Sequence, residues 1–264
     1  MKAIFWDCDD TLVNSEVIAM GVAIDLLAGE TQKQNPLIDI DRHRLVRDYA
    51  GWHFDKMIEA FERDHNVRFD YDSITKQKTA LTLEGLKKVE PIDDIEVALT
   101  DLATDHHFAL VTSSEFSRVN LCLDVTSVGD FFPIERRYSG HDSLTPSKHK
   151  PLPDIYLHAL EVEGVSKEDV VAIEDSASGV ASAKAAGIPV IAFVATRRVN
   201  SEEERIALGQ KLMGAGALFV VADAKELPLA VRSVLHGTYY KLDPKYNVET
   251  TIVTQSPFIG TPTP

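Results

Sequence analysis

The chain has 264 residues, 44% of them hydrophobic, a formal net charge of −14 and two cysteines. That is enough apolar material for one large domain or two smaller ones, and it excludes wholesale disorder. The acidic balance argues against nucleic acid and anionic membrane as partners, since both repel a negative surface. A small phosphorylated metabolite needs only a local cluster of cations. Cys8 and Cys122 have no metal-ligand spacing and fit a reducing, cytoplasmic setting. The first residues run straight into an apolar stretch, so no secretory leader is expected. No apolar run is long enough to span a bilayer.

Ala3-Ile4-Phe5-Trp6 has the length and β-favouring makeup of a buried parallel strand. Asp7, Asp9, Asp10 and Thr11 then interrupt it. From residue 15 to about 89 the patterns are helical. Val17, Met20, Ile24, Leu27 and Ala28 follow a helical stripe with Gly29 as its stop. Residues 32–41 are polar, contain Pro36 and read as a loop. Leu45, Val46 and Tyr49 predict a short helix ending at Gly51. Met57, Ile58 and Phe61 predict another, and Ile74, Leu81, Leu83 and Leu86 a longer, exposed one. The grammar changes after Pro91. Helices are expected over 95–104, 116–125, 154–163, 177–186, 201–213 and 225–235. Strands are expected over 108–112, near 133–138, and over 170–173, 189–194 and 218–221. The loop 139–153 is rich in Ser, His, Lys and Pro.

Such alternation predicts an α/β fold, a Rossmann-like doubly wound parallel sheet with helices on both faces. Residues 1–14 and 91–236 form the core, 15–90 an inserted all-α cap, and 237–264 a tail or arm. Within the tail, 248–254 has strand character but no visible partner.

In open α/β sheets ligands bind at the carboxyl ends of strands. The first strand ends in Asp7, Asp9, Asp10 and Thr11; in extended geometry Asp7 and Asp9 share one face. Buried carboxylates are costly without a cation or donor, so the pair suggests a divalent ion beside an acid/base pair. The plain alternative is an Asp-rich turn. The second strand ends in Thr112-Ser113-Ser114. The loop before the helix at 154 offers Lys148-His149-Lys150-Pro151, and the strand at 170 ends in Glu174-Asp175-Ser176. Together these make a metal site next to an anion site.

Asp7-Cys-Asp9-Asp-Thr11, Val111-Thr112-Ser113, Lys150-Pro-x-Pro-Asp154 and Ile173-Glu174-Asp175-Ser176, with Gly179, Ala183, Ala186 and Gly187 beyond, stand in the order of the four motifs of one family. The chain resembles the haloacid dehalogenase (HAD) superfamily of phosphatases, in the branch with a helical cap after the first strand. The resemblance covers about residues 1–235. It implies that Asp7 is the nucleophile, forming an aspartyl-phosphate. Asp9 would be the general acid/base, and Thr112, Ser113 and Lys150 would hold the phosphoryl oxygens. The implied cofactor is Mg²⁺, held by Asp7, Asp175 and the backbone carbonyl of Asp9. Glu174 is either a further ligand or a partner of one. Lys148 is the rival of Lys150 for the lysine role. Thr11 is expected to stabilise the turn.

Asp10 departs from the motif, which commonly has glycine there. Asp tolerates the backbone angles a glycine would adopt, so the turn should survive. The added carboxylate should alter cation affinity. In the cap, Tyr49-Ala-Gly51-Trp52-His53-Phe54 resembles the family's specificity loop. Trp52 and His53 would face the substrate, with packing of the cap core as the other role for Trp52 and Phe54.

Asp7–Ile18 and Tyr138–Asp142 resemble sugar-phosphate phosphatases of the 6-phosphogluconate type, which points to a phosphorylated sugar. A phosphomutase of the β-phosphoglucomutase type is the alternative; the first cap helix lacks the histidine such enzymes carry. A non-catalytic binding protein on the same fold would have lost a motif residue, and none is lost. The expected assembly is a monomer or weak homodimer.

Overall fold

The computed structural model describes residues 2–49, 53–199, 201–238 and 241–247. Strands β1 (Ala3–Trp6), β2 (His107–Thr112), β3 (Arg137–Ser139), β4 (Val170–Glu174), β5 (Val190–Phe193) and β6 (Phe219–Val221) form a single sheet. Its order is β3-β2-β1-β4-β5-β6, and every pairing is parallel. β1, β2 and β4 are apolar runs whose residues are buried almost throughout, as expected for strands covered on both faces. The register Trp6↔Leu110 and Trp6↔Ile173 sets the carboxyl ends of β1, β2 and β4 side by side. β1 therefore lies at the point where strand order reverses, the position at which doubly wound sheets open a crevice.

The chain divides into two units, residues 1–14 with 90–264 and residues 15–89. The first unit carries the sheet with α5 (Ile95–Leu102), α6 (Phe116–Asp124), α7 (Asp154–Glu163), α8 (Ala177–Ala185), α9 (Glu202–Ala215) and α10 (Leu227–His236). Between β1 and residue 14 the chain closes a tight loop. Thr11, Leu12 and Val13 all donate backbone N–H groups to the Cys8 carbonyl, and Asp10 N–H donates to Val13. The outgoing and returning strands of chain are clasped here. Asn14 N–H donates to Glu90 O at 2.9 Å, its side-chain amide donates to Pro91 O at 2.8 Å, and Ile92 N–H donates to Leu12 O at 2.9 Å.

The second unit comprises α1 (Ser15–Gln34), α2 (Arg42–Asp48), α3 (Phe54–His65) and α4 (Tyr71–Leu86). Its own core gathers Ala23, Ile24, Leu27, Met57, Ile58, Phe61 and Ile74, with Phe54 packed against it. Asp41 caps α2 and Asp70 caps α4, each accepting a backbone N–H two residues into its helix.

Several element expectations change. α1 runs through Gly29 to Gln34, into the segment read as a loop. Glycine ends a helix reliably only where φ turns positive, and Gly29 is not among the residues that do so. Val17 is exposed rather than part of the buried stripe. The strand expected near 133–138 is shorter and later, Arg137–Ser139, because 3₁₀ turns occupy Ser127–Phe131 and Ile134–Arg136. Gly51 and Trp52, and the strand suggested at 248–254, lie outside the described residues. Before that point the tail is docked: the Asn247 side chain accepts from Val220 N–H at 2.8 Å and donates to Val220 O at 3.2 Å. It thereby pairs one residue of the β6 edge as a neighbouring strand would.

Candidate active site

The carboxyl ends of β1, β2 and β4 bring three of the sequence motifs together. Asp7 follows β1 directly and is held in sheet register by its N–H, which donates to Ile173 O at 3.1 Å. The Lys150 ammonium stands between two carboxylates, 2.6 Å from Asp7 Oδ1 and 2.6 Å from Glu174 Oε1. It also donates to Val111 O at 2.8 Å. All three of its protons are thus spent on β1, β2 and β4, and its side chain is 4% exposed. Lys148, by contrast, is 43% exposed and pairs with Asp154.

Glu174 is wholly buried. Besides Lys150, its Oε1 accepts the Tyr156 hydroxyl at 2.5 Å. Asp175 lies beside it, and one carboxylate oxygen from each of Asp7, Glu174 and Asp175 falls within 4.8 Å of the others. Three buried carboxylates so close are a hard, oxygen-only donor set of the kind that suits Mg²⁺. Lys150 is the cation at one side of the cluster, and Arg198, 2.8 Å from Asp175 Oδ2, at another. Burial pushes the Asp7 carboxyl up to about 7, with Lys150 pulling it down and Glu174 and Asp9 pushing it further up. Burial also raises Asp175 well above the ordinary carboxylate range, against the pull of Arg198. Both effects express the cost of excess negative charge away from water, which a divalent cation would relieve.

Asp9 has different partners. Its Oδ2 accepts the Ser114 hydroxyl at 2.5 Å, and its Oδ1 accepts two guanidinium N–H groups of Arg118, at 3.1 and 2.7 Å. Its carboxylate is therefore anchored to the β2–α6 connection and not grouped with the other three. Thr112 is buried, its Oγ1 accepting Ser114 N–H at 3.0 Å, and Ser113 Oγ accepts Lys150 N–H at 3.1 Å. These bonds leave each hydroxyl proton available to an incoming oxygen. Thr11 is buried and donates to Asp175 Oδ1 at 3.5 Å. The Cys8 thiol is buried, and burial raises it well above its usual range, so it is an inert filler.

Asp10 adopts φ 58°, the left-handed region a glycine would favour. Its carboxylate accepts the Thr196 hydroxyl at 2.8 Å and stands 3.5 Å from Arg198 Nε. In the second unit, His53 is the exposed residue preceding α3, and Trp52 lies outside the described residues.

Ser114, Arg118, Tyr156, Thr196 and Arg198 belong to this constellation and escape a reading by motif. A signal for the first three existed. Ser114 lies two residues past the end of β2, and Arg118 and Tyr156 are the third residues of the helices that follow β2 and Lys150, where first-turn residues face the crevice. Thr196 and Arg198 follow β5, a strand end whose sequence carries no carboxylate to draw notice.

A family model described as haloacid dehalogenase-like hydrolase matches residues 4–193. The chain is 23% identical over 198 residues to 6-phosphogluconate phosphatase of Escherichia coli (strain K12), covering 74% of this chain and 83% of that protein. It is 28% identical over 203 residues to a CBBY-like protein of Arabidopsis thaliana, covering 72% and 62%. Among solved structures, a conserved haloacid dehalogenase-like protein of unknown function from Agrobacterium tumefaciens superposes with a TM-score of 0.74 at 27% identity, covering 88% of this chain and 98% of that one.

Proposed function

The chain belongs to the haloacid dehalogenase-like hydrolases, and on that premise we propose a Mg²⁺-dependent phosphomonoesterase acting on a phosphorylated sugar through an aspartyl-phosphate. The observation that carries this reading is the division of labour among carboxylates. Asp7 and Glu174 share Lys150 and are grouped with Asp175, which Arg198 holds, while Asp9 is held separately by Ser114 and Arg118.

In this reading Asp7 attacks phosphorus, forming an acyl-phosphate as the bond to the sugar oxygen breaks. Asp9 gives its proton to that leaving oxygen, then takes one from the water that attacks the acyl-phosphate. Thr112 and Ser113 would donate to the phosphoryl oxygens as charge spreads over them, and Lys150 would supply the neighbouring positive charge, exchanging one of its present partners for a phosphoryl oxygen. Asp7, Asp175 and the Asp9 carbonyl would hold Mg²⁺, which when bound screens the carboxylate from the phosphate dianion and withdraws charge from phosphorus. Glu174 orients Lys150 through Oε1, which also receives Tyr156, and stands as a further ligand or as the partner of one. The sugar-phosphate lean rests on the likeness to 6-phosphogluconate phosphatase. Two buried free thiols suit a reducing cytoplasm.

The test is turnover of an aryl phosphate with and without Mg²⁺, followed by a panel of phosphorylated metabolites. Asp7→Asn should lower kcat by about a thousandfold or more, and chelation should abolish turnover. Unchanged turnover in either case sinks the mechanism. A panel in which sugar phosphates are no better than the aryl ester sinks the substrate class alone.

A further inference from the structure

A second cluster of ligand-type side chains lies at the other end of the sheet, ahead of the amino terminus of β2. Asp105 and His106 form the turn from α5 into β2, and His236 is the last residue of α10. The His106 side chain is wholly buried. Its Nδ1 faces two acceptors, Asp105 Oδ1 at 2.7 Å and Leu102 O at 3.3 Å. A ring nitrogen between two acceptors carries the proton, so this partner set assigns the bare lone pair to Nε2. That Nε2 points at the Nε2 of His236, 3.0 Å away. One ligand atom from each of Asp105, His106 and His236 lies within 4.8 Å of the other two.

A carboxylate holding one ring nitrogen while the other presents its lone pair is the arrangement that stands behind metal-bound histidines. Two nitrogens bound tetrahedrally to one ion, each at about 2.0–2.1 Å, stand about 3.4 Å apart. The two Nε2 atoms need to separate by only a few tenths of an ångström to reach that spacing. Imidazole donors favour Zn²⁺ and its neighbours, whereas Mg²⁺ prefers oxygen. The surrounding charges nearly cancel. Asp101 and Asp105 face Arg232, which is 2.7 Å from Asp101 Oδ1 and 3.3 Å from Asp105 Oδ1, and Lys2 acts on His236. Asp105 is thus shared between Arg232 and His106.

We infer that His106 and His236, with Asp105 orienting the first ring through its Nδ1, form a two-imidazole site for Zn²⁺ or a similar imidazole-preferring divalent ion, whose remaining positions water would fill. An ion there would tie the start of β2 to the end of α10. It would stabilise the fold by binding only where the two ends are held together.

The probe is Zn²⁺ alone, titrated into full-length protein with excess Mg²⁺ present. Calorimetry and thermal denaturation are the readouts, with Co²⁺ absorption as a signature of nitrogen ligation. The wild type should bind one equivalent and gain Tm. His236→Ala, an exposed change that spares the core, should weaken binding at least about tenfold and cancel the gain. Asp7→Asn should keep both. Binding that survives His236→Ala, binding lost in Asp7→Asn, or an unchanged wild-type Tm would each overturn the assignment. The last would leave a hydrogen-bonded histidine pair only.

Discussion

Asp10 shows how one departure from a motif is absorbed by residues far away in sequence. Its φ of 58° is tolerated because Asp is among the side chains least opposed to left-handed angles. Its carboxylate, 1% exposed, adds charge beside the cluster, and Thr196 and Arg198 answer it. Arg198 also holds Asp175, so one guanidinium answers both Asp10 and a carboxylate of the proposed metal site. Arg198→Ala should cost about 2–3 kcal/mol of stability. Adding Asp10→Gly should recover part of that, giving a non-zero coupling in a double-mutant cycle read by denaturant unfolding. Additive losses would separate the two residues. For Asp9, Arg118→Ala should lower kcat about ten- to a hundredfold, with Mg²⁺ affinity unchanged. An equal fall in Mg²⁺ affinity would place Arg118 in the metal cluster instead.

At the scale of elements, close approach of backbone to side chain governs what can change. α8 packs its first turn against the end of β4, and a Cβ on Gly179 would overlap the Glu174 carboxylate. Glycine is required there for space, since its φ is unexceptional. Gly179→Ala should therefore displace Glu174, loosen Lys150 and destabilise the fold by about 2–4 kcal/mol, seen as lower Tm together with lower activity. The β6 edge gives a second case. Asn247→Ala removes both partners of the Val220 backbone and should cost about 1–3 kcal/mol. Denaturant unfolding checks it against Asn247→Asp, which keeps only the acceptor.

For the whole molecule, the buried carboxylate cluster couples stability to pH and, on the proposed function, to metal. The Asp7 carboxyl rises from 3.8 to about 7 on folding. Between those values the folded protein keeps a proton that the unfolded chain has released. Without metal, this group therefore favours folding least at high pH, and stability falls as pH rises through that window. On the proposed function a divalent cation would take the place of the proton. The Tm gained from Mg²⁺ should thus be small near about pH 5 and larger near about pH 8. A gain independent of pH would mean that the ion does not sit on these carboxylates. The net charge of −14 acts in the same direction, since a cation relieves general repulsion as well.

What the amino-acid order determined by itself was local. β1, β2 and β4 are legible as short apolar runs because strands buried on both faces need no alternation. α7 is legible because Pro153 precedes it and Gly164, in the left-handed conformation, closes it. Asp7, Thr112, Lys150, Glu174 and Asp175 could be collected without coordinates, because a parallel sheet aligns the carboxyl ends of its strands. The extent of α1 past Gly29 was not legible, because packing of its buried face outweighs one weak helix former. Only the tertiary structure decided which partner each carboxylate has. Lys150 joins Asp7 to Glu174, Arg118 holds Asp9 from 109 residues away, and Arg198 spans Asp10 and Asp175. Such pairings depend on crossovers that bring distant strand ends to one point, and no local spacing encodes where a long cationic side chain will reach. Asp7 and its neighbours announce a charged site through their residue types, while the division of that charge into a buried group of three carboxylates and a separately held Asp9 is a property of the folded sheet.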